Sequence, residues 1–238
     1  VLSVVIPARD EAANLPSLIA EVHAALPALS HEIVIVDDGS TDDSLQVLKR
    51  LAEHDSSLRI MRHKSSCGQS AALRTGIRAA RKAWIATLDG DGQNDPADLP
   101  VFWAARPASL SPEQPWLAIG NRVDRKDSAW RRLLSRVAFA FRRWWLDDDT
   151  PDTGCGVKLF GRAAWFDLPW FSHQHRFFPA LMRRNGGCVV SLPVRHRPRR
   201  AGHSKYTTLG RTWAGIADLK GVAWLIRRNR LPVVDEIR

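Results

Sequence analysis

The feature that most constrains this chain is a unit repeated through its first half. A short apolar run leads into an acidic or Gly-containing turn, and a stretch with helical spacing follows. "LSVVIPA" runs through "RDE" into "EAANLPSLIAEVHAAL", where Leu15, Leu18, Ile19, Val22 and Leu26 recur at helical intervals. "HEIVIVDDGS" precedes "TDDSLQVLKRLAEH", with Thr41 or Asp42 expected as its cap. "LRIMRH" leads to "GQSAALRTGIRAARK", and "AWIATLDGDG" is a fourth strand. This βαβαβαβ order predicts an α/β fold, a mostly parallel sheet with helices on both faces. In such sheets ligands gather at the carboxyl ends of the strands, here "PARDE", "DDGS" and "DGDGQ".

The second half is less regular. "WAARPASLSPEQPW" reads as a Pro- and Ser-rich loop and "LAIGNR" as a short strand. Residues 128–146 are amphipathic, with Trp130, Leu133, Leu134, Val137, Ala138, Phe141, Trp144 and Trp145 on one stripe and arginines flanking it. "TTLGRTWAGIADLKGVAWLIRRNR" is a second such helix. The expected organisation is one domain over 1–205, with halves 1–119 and 120–205, and an amphipathic, membrane-proximal segment over 206–238.

Charge divides along the same line. Residues 1–119 carry 11 Lys+Arg against 15 Asp+Glu, and residues 120–238 carry 24 against 10. A half with a net charge of +14 points to an anionic partner: a nucleic acid, a membrane surface or a phosphorylated substrate. No apolar run is long enough to span a bilayer. The start at Val1, without a basic stretch, reads as a trimmed chain lacking a signal peptide. Cys67, Cys155 and Cys188 are scattered and odd in number, which fits neither a disulfide framework nor a zinc site and suggests a reducing compartment.

The turn "LDGDGQND" carries the most chemistry. Asp89, Asp91 and Gln93 imitate the start of an EF-hand loop. That loop requires Gly at its sixth position and Glu at its twelfth, and these are Asn94 and Pro100. A phosphatase-type nucleophile belongs after the first strand of its fold, not the fourth. An unliganded Asp/Gly turn explains the glycines but leaves two carboxylates repelling each other. A site for Mg²⁺ or Mn²⁺ serving a diphosphate explains both, since these ions take oxygen ligands from one or two carboxylates plus substrate phosphates.

Taken in order, "VVIPARDEAANL", "IVIVDDGSTDDS", "GQSAALRTGIRAA" and "TLDGDGQNDP" resemble the family-two inverting glycosyltransferases of GT-A fold. Within that family the chain is most similar to the branch that makes polyprenyl-phosphate sugars, the dolichol-phosphate mannose synthase-like enzymes. The resemblance implies that Pro7, Ala8, Asp10 and Glu11 line the nucleotide, that Asp38 contacts the base beside Asp37, and that Asp89 and Asp91 hold Mg²⁺ or Mn²⁺ with Gln93. Asp89 then also borders the nucleotide, and Asp91 is essential to catalysis. Ala8 and Arg9 stand where the family often has an aromatic residue. Arg122 in "GNR" and Arg131 in "WRRLLSR" match arginines that this branch uses against the acceptor phosphate. Asp152 in "PDTGCGVKLFGR" would face donor sugar and acceptor as positioner or base. "HRPRRAGHSKY" resembles a basic loop over the diphosphate, with Arg199 or Arg200, Ser204 and Lys205 near it. Arg125, Arg183 and Arg184 are read as surface charges. The His173–Arg176 segment either shapes the sugar pocket or caps the helix after it. It resembles bacterial undecaprenyl-type enzymes, which implies a UDP-sugar.

The expected partners are therefore a nucleoside-diphosphate sugar, a polyprenyl phosphate such as undecaprenyl phosphate, and the membrane surface. The expected location is peripheral, on the cytoplasmic face of the inner membrane. Trp130, Trp144, Trp145, Trp213 and Trp224 suit the headgroup boundary. The competing readings are a transferase acting on a soluble or cell-wall acceptor, a nucleotidyltransferase, and a basic nucleic-acid-binding module. The last has no helix-turn-helix, zinc-finger or stacking signature, so no specific nucleic acid is expected.

Overall fold

A computed structural model describes residues 1–123, 139–198 and 208–232. Seven strands form one sheet: β1 (Leu2–Ala8), β2 (His31–Asp37), β3 (Leu58–Arg62), β4 (Trp84–Thr87), β5 (Trp116–Arg122), β6 (Lys158–Gly161) and β7 (Cys188–Val194), in the order β3-β2-β1-β4-β6-β5-β7. Neighbours pair in parallel except β6, which runs antiparallel to both β4 and β5. The helices are α1 (Leu15–Ala25), α2 (Ser44–Ala52), α3 (Gln69–Ala79), α4 (Leu99–Ala105), α5 (residues 139–146), α6 (Arg162–Phe166), α7 (Phe178–Arg184) and α8 (Thr208–Arg227).

The all-apolar runs of β1 and β2 become central strands because both of their faces are covered. Val4, Val5, Ile6, Ile33, Val34 and Ile35 have no exposed surface. Helix α3 packs on β1 and β2 at Gly76, where an added Cβ would lie 2.4 Å from Val5 Cγ1. The helix can therefore approach only with glycine there.

Strand register sets the height of each loop. Ala8, Asp37 and Arg62 end their strands side by side. β4 stops lower, with Thr87 opposite Val5, so the chain after it climbs along β1 and brings Gly90 against Pro7 and Ala8. On the other side of β4, Thr87 faces Lys158. Val194 ends β7 level with Arg122 of β5.

Three local expectations change. The "WAA" of the Pro-rich stretch lies in α4, because Pro100 occupies the first turn, where its missing N–H costs nothing. "KLFG" and "CVVSLPV" are strands that periodicity did not mark. Neither Thr41 nor Asp42 is the capping residue of α2, which starts at Ser44 with Asp43 preceding it, although Asp42 Oδ1 does accept from Ser44 N–H at 2.9 Å. Of the amphipathic 128–146 stretch, 139–146 is helical and the remainder, with Trp130 and Arg131, lies outside the described residues. Helix α8 buries Val222 and Ala223 in the core.

Candidate active site

The loops at the carboxyl edge are built from short polar side chains that satisfy one another. After β1 the chain turns at Asp10, which adopts φ +54°. Its Oδ1 accepts from Thr41 N–H (2.6 Å) and the Thr41 hydroxyl (3.2 Å), and its own N–H donates to Ser40 Oγ. Glu11 N–H donates to Ser44 Oγ, and Glu11 Oε2 accepts from Asn14. These bonds, with Asp38 N–H donating to Ala8 O, join the "PARDE" and "DDGS" turns into one unit above Pro7.

Asp38 is buried and fully engaged. It accepts from His63 Nδ1 (2.6 Å), Ser66 Oγ (2.7 Å), Cys67 N–H (2.8 Å) and Gly68 N–H (2.9 Å). Burial pushes its carboxyl up, but these bonds outweigh burial and hold it below the usual carboxylate range. Four donors fill the acceptor capacity of a carboxylate. His63 passes the contact on, with Nε2 2.9 Å from Thr75 Oγ1 of α3. Asp38, His63 and Cys67 also make the one cluster of three potential ligands among the described His, Cys, Asp and Glu. Its Asp38 oxygens are already spent on N–H and O–H donors. Asp37 instead stabilises its own turn through Ser40 N–H.

Asp89, Asp91 and Gln93 occupy the turn after β4. Asp89 Oδ1 accepts from Gln69 Nε2 at 2.8 Å, and Asp89 N–H donates to Asn94 Oδ1. Burial and the charge of Asp91 push the Asp89 carboxyl up to about 6, against the pull of Lys158, Arg122 and Gln69. Gly156 makes room for it, since a Cβ there would lie 2.3 Å from Asp89 Oδ2. Two mutually repelling carboxylates, one of them in a cradle that a methyl group would fill, suit a hard divalent cation. Asp89, Asp91 and Gln93 therefore fit Mg²⁺ or Mn²⁺.

Cations stand close by. Lys158 is buried at the start of β6, its Nζ donates to Cys155 O, and burial pulls its pKa down. Arg122 ends β5 in a two-pronged pair with Asp152, Nε to Oδ2 at 2.6 Å and Nη2 to Oδ1 at 2.8 Å. Burial alone would lower the Arg122 pKa, and the Asp152 contacts raise it. Asp89 lines a small pocket together with Gln69, Leu73, Lys158 and His175, among others.

The structure thus brings Asp89, Asp91, Gln93, Arg122 and Asp152 to one edge with the Pro7–Glu11 turn, and puts Asp38 behind the 63–68 loop. Arg125, Arg131, Arg199, Arg200, Ser204 and Lys205 lie outside the described residues. Arg183 pairs with Asp149, and Arg184 donates to Leu225 O. The histidines do not cap α7: His173 Nδ1 lies 2.8 Å from Asp218 of α8, and His175 Nδ1 lies 2.6 Å from Ser70 Oγ. Sequence reasoning gave no role to Gln69, Gly156 or Lys158, although Cys155–Lys158 stands where the family commonly reads Ser-Gly-Phe-Arg. The two glycines flanking Cys155 were the available signal, since close-packed glycines mark an approach to something.

Residues 3–162 match the family model described as Glycosyl transferase family 2. The chain is 33% identical over 240 residues to a dodecaprenyl-phosphate galacturonate synthase of Rhizobium johnstonii, covering 97% of this chain and 69% of that protein. It is 32% identical to an undecaprenyl-phosphate 4-deoxy-4-formamido-L-arabinose transferase of Pseudomonas savastanoi pv. phaseolicola, covering 87% of this chain and 61% of that one. It therefore spans somewhat under two thirds of the second relative. Among solved structures it is similar to glucosyl-3-phosphoglycerate synthase of Mycobacterium tuberculosis, solved with Mn²⁺, UDP-glucose and glycerol 3-phosphate. That match has a TM-score of 0.64 and 19% identity, and covers 94% of this chain and 79% of that one.

Proposed function

Because the chain belongs to glycosyl transferase family 2 and is a nucleotide-sugar-dependent glycosyltransferase, we propose that it moves a sugar, with inversion, from a UDP-sugar to a polyprenyl phosphate of the undecaprenyl type at a membrane surface. The observation that carries this reading is the Asp89–Asp91 turn beside the cations Lys158 and Arg122. Negative groups for a metal and positive groups for phosphates meet at one sheet edge. The relatives, named for polyprenyl-phosphate products, support the acceptor class.

Held by Asp89, Asp91 and Gln93, Mg²⁺ or Mn²⁺ would supply Lewis-acid neutralisation of the departing diphosphate. The protein's own residues orient the reactants. The Pro7–Glu11 turn lines the nucleotide, and the 63–68 loop held by Asp38 borders the base. The acceptor is a phosphate monoester with a second pKa near 6, so most of it is dianionic at neutral pH. It needs positioning and charge compensation more than a strong base. That agrees with Asp152, whose two oxygens are occupied by Arg122 and whose Oδ1 also accepts from Gly154 N–H. In this reading Asp152 aims Arg122 at the acceptor phosphate, and Arg131, Arg199 or Arg200, Ser204 and Lys205 add to the phosphate-binding surface.

The test is thermal stability against UDP, GDP, CDP and dTDP, each with and without Mn²⁺, on wild type and Asp91→Ala, followed by radiolabelled sugar transfer to undecaprenyl phosphate. Saturation at about 100 times Kd adds roughly 2.7 kcal/mol. Metal-dependent stabilisation by UDP above the others, lost in Asp91→Ala, is the expected result. Transfer to a water-soluble acceptor with none to the lipid phosphate would sink the acceptor half of the proposal.

A further inference from the structure

The acidic turn is poorly suited to holding its own shape. Gly90 and Gly92 lie between its carboxylates, Gly92 at φ +71°, and Asp89, Asp91, Asp95 and Asp98 crowd ten residues. From within, Gln93 N–H donates to Asp91 Oδ1 and Asp89 N–H to Asn94 Oδ1. Much of the outside support comes from the three residues that follow β7. Arg195 N–H donates to Asp98 Oδ2 at 3.2 Å, His196 bridges to Asn94, and Arg197 N–H donates to Gln93 O at 3.0 Å. The Gln93 side-chain amide returns the contact, with Nε2 3.4 Å from both Arg197 O and His196 Nε2. That geometry leaves Gln93 Oε1 as the end of the amide suited to a cation.

One guanidinium anchors this seam. Arg197 Nη2 lies 2.7 Å from Asp95 Oδ1, and Nη1 bonds to Glu21 of α1. Asp95 is buried, and its Oδ1 also accepts from Ala97 N–H to start the 3₁₀ turn Pro96–Asp98. A planar fork spanning two carboxylates fixes distance and direction together, which an ammonium cannot do. Glu21 is in the middle of α1, so the turn is referenced to a helix of the main fold and not to another loop.

We propose that Arg197 is a positioning residue: by bridging Glu21 and Asp95 it holds Gln93 and the acidic turn in their cation-binding arrangement. The proposal rests on the reading of that turn as a metal–diphosphate site. It assigns no contact between Arg197 and any substrate.

The experiment measures Mn²⁺ affinity in the presence of UDP, by electron paramagnetic resonance of free Mn²⁺, on wild type, Arg197→Ala, Arg197→Lys and Glu21→Gln. Melting temperatures are recorded in chelator. Arg197→Ala should weaken Mn²⁺ binding about tenfold or more, and Arg197→Lys should recover only part of that. Glu21→Gln, on a partly exposed side chain of α1 that reaches the turn through Arg197, should weaken it a few-fold at an unchanged melting temperature. Arg197→Ala binding Mn²⁺ as wild type does, or binding weakened only in proportion to lost folded protein, overturns the proposal. If Arg197→Ala fails to fold, Glu21→Gln decides: folded with wild-type Mn²⁺ affinity, it overturns the proposal equally. Wild type that binds no Mn²⁺ with UDP instead overturns the metal–diphosphate reading itself, and this inference with it.

Discussion

Burial and the neighbouring Asp91 drive the Asp89 carboxyl from its usual 3.8 up to about 6, which makes it costly in the metal-free protein. The sign follows from linkage. A carboxyl that holds its proton more tightly when folded contributes most at low pH, and that contribution fades as pH rises from about 4 through about 6. Asp89→Asn should therefore melt higher than wild type in chelator at pH 7.5, with the difference shrinking by pH 5, and should lose metal-dependent nucleotide binding at both. Equal melting at both pH values would show that Asp89 is not under this strain. Wild-type Mn²⁺ affinity should also climb as pH rises through about 6, because proton and metal compete for the same oxygen. Asp38 behaves oppositely. Its carboxyl is held below the ordinary value, so the stability it gives is present above pH 4 and is lost as pH falls through the depressed folded-state pKa. Gly156→Ala tests the cradle: its Cβ would collide with Asp89 and Asn94. Activity should fall at least a hundredfold, with Mn²⁺ binding lost, in a protein that still folds.

At the scale of elements, Gly76 lets α3 reach the sheet. In Gly76→Ala the new methyl meets Val5 and Val36, both fully buried, and overpacking of this kind costs about 1–3 kcal/mol. The melting temperature should drop by roughly 2–4 °C per kcal/mol in a chain of this size, with nucleotide affinity per folded molecule unchanged. The elements legible in the sequence were those whose burial is one-sided or total. β1, β2 and β4 are built around the short apolar runs VVIPA, IVIV and WIA, and α1 shows its buried residues at helical spacing. β6 was hidden because it opens on a lysine that tertiary structure buries, which no periodicity expresses. β7 was hidden because it is an edge strand, half exposed and carrying Pro193 where no ladder partner is lost. The same limit applies to the site. Asp89 and Asp91 were visible because two carboxylates one residue apart demand an explanation. The engagement of Asp38 by His63, Ser66 and the 67–68 backbone depends on how β3 and α3 meet, and nothing near "DDGS" states it.

Across the whole molecule, charge and exposed aromatic surface point the same way. The second half is +14 in net charge, and on its described surface Trp144 is 77% exposed, Trp224 59% and Phe141 54%. Trp145, by contrast, packs partly against the core, Arg142 turns inward to Asp148 and Thr153, and Trp130 and the side chain of Trp213 lie outside the described residues. The expected aromatic stripe therefore divides, with one part serving the fold and the rest facing outward. Among the described residues no helix is long and apolar enough to cross a membrane, and the exposed aromatic side chains offer an interfacial contact that can be tested. Near an anionic surface each basic residue contributes about 1 kcal/mol, and that contribution is screened by salt, whereas inserted tryptophan is not. Two variables then separate the contributions. Co-sedimentation with phosphatidylglycerol-containing vesicles should fall steeply as salt rises. Trp144→Ala with Trp224→Ala should lower the bound fraction several-fold at every salt concentration, with the melting temperature unchanged because both side chains are exposed. Binding that is salt-sensitive but indifferent to the tryptophans would make the association purely electrostatic. Absence of binding to anionic vesicles at low salt would remove the membrane from the proposed function and leave the sugar transfer standing on a lipid phosphate presented some other way.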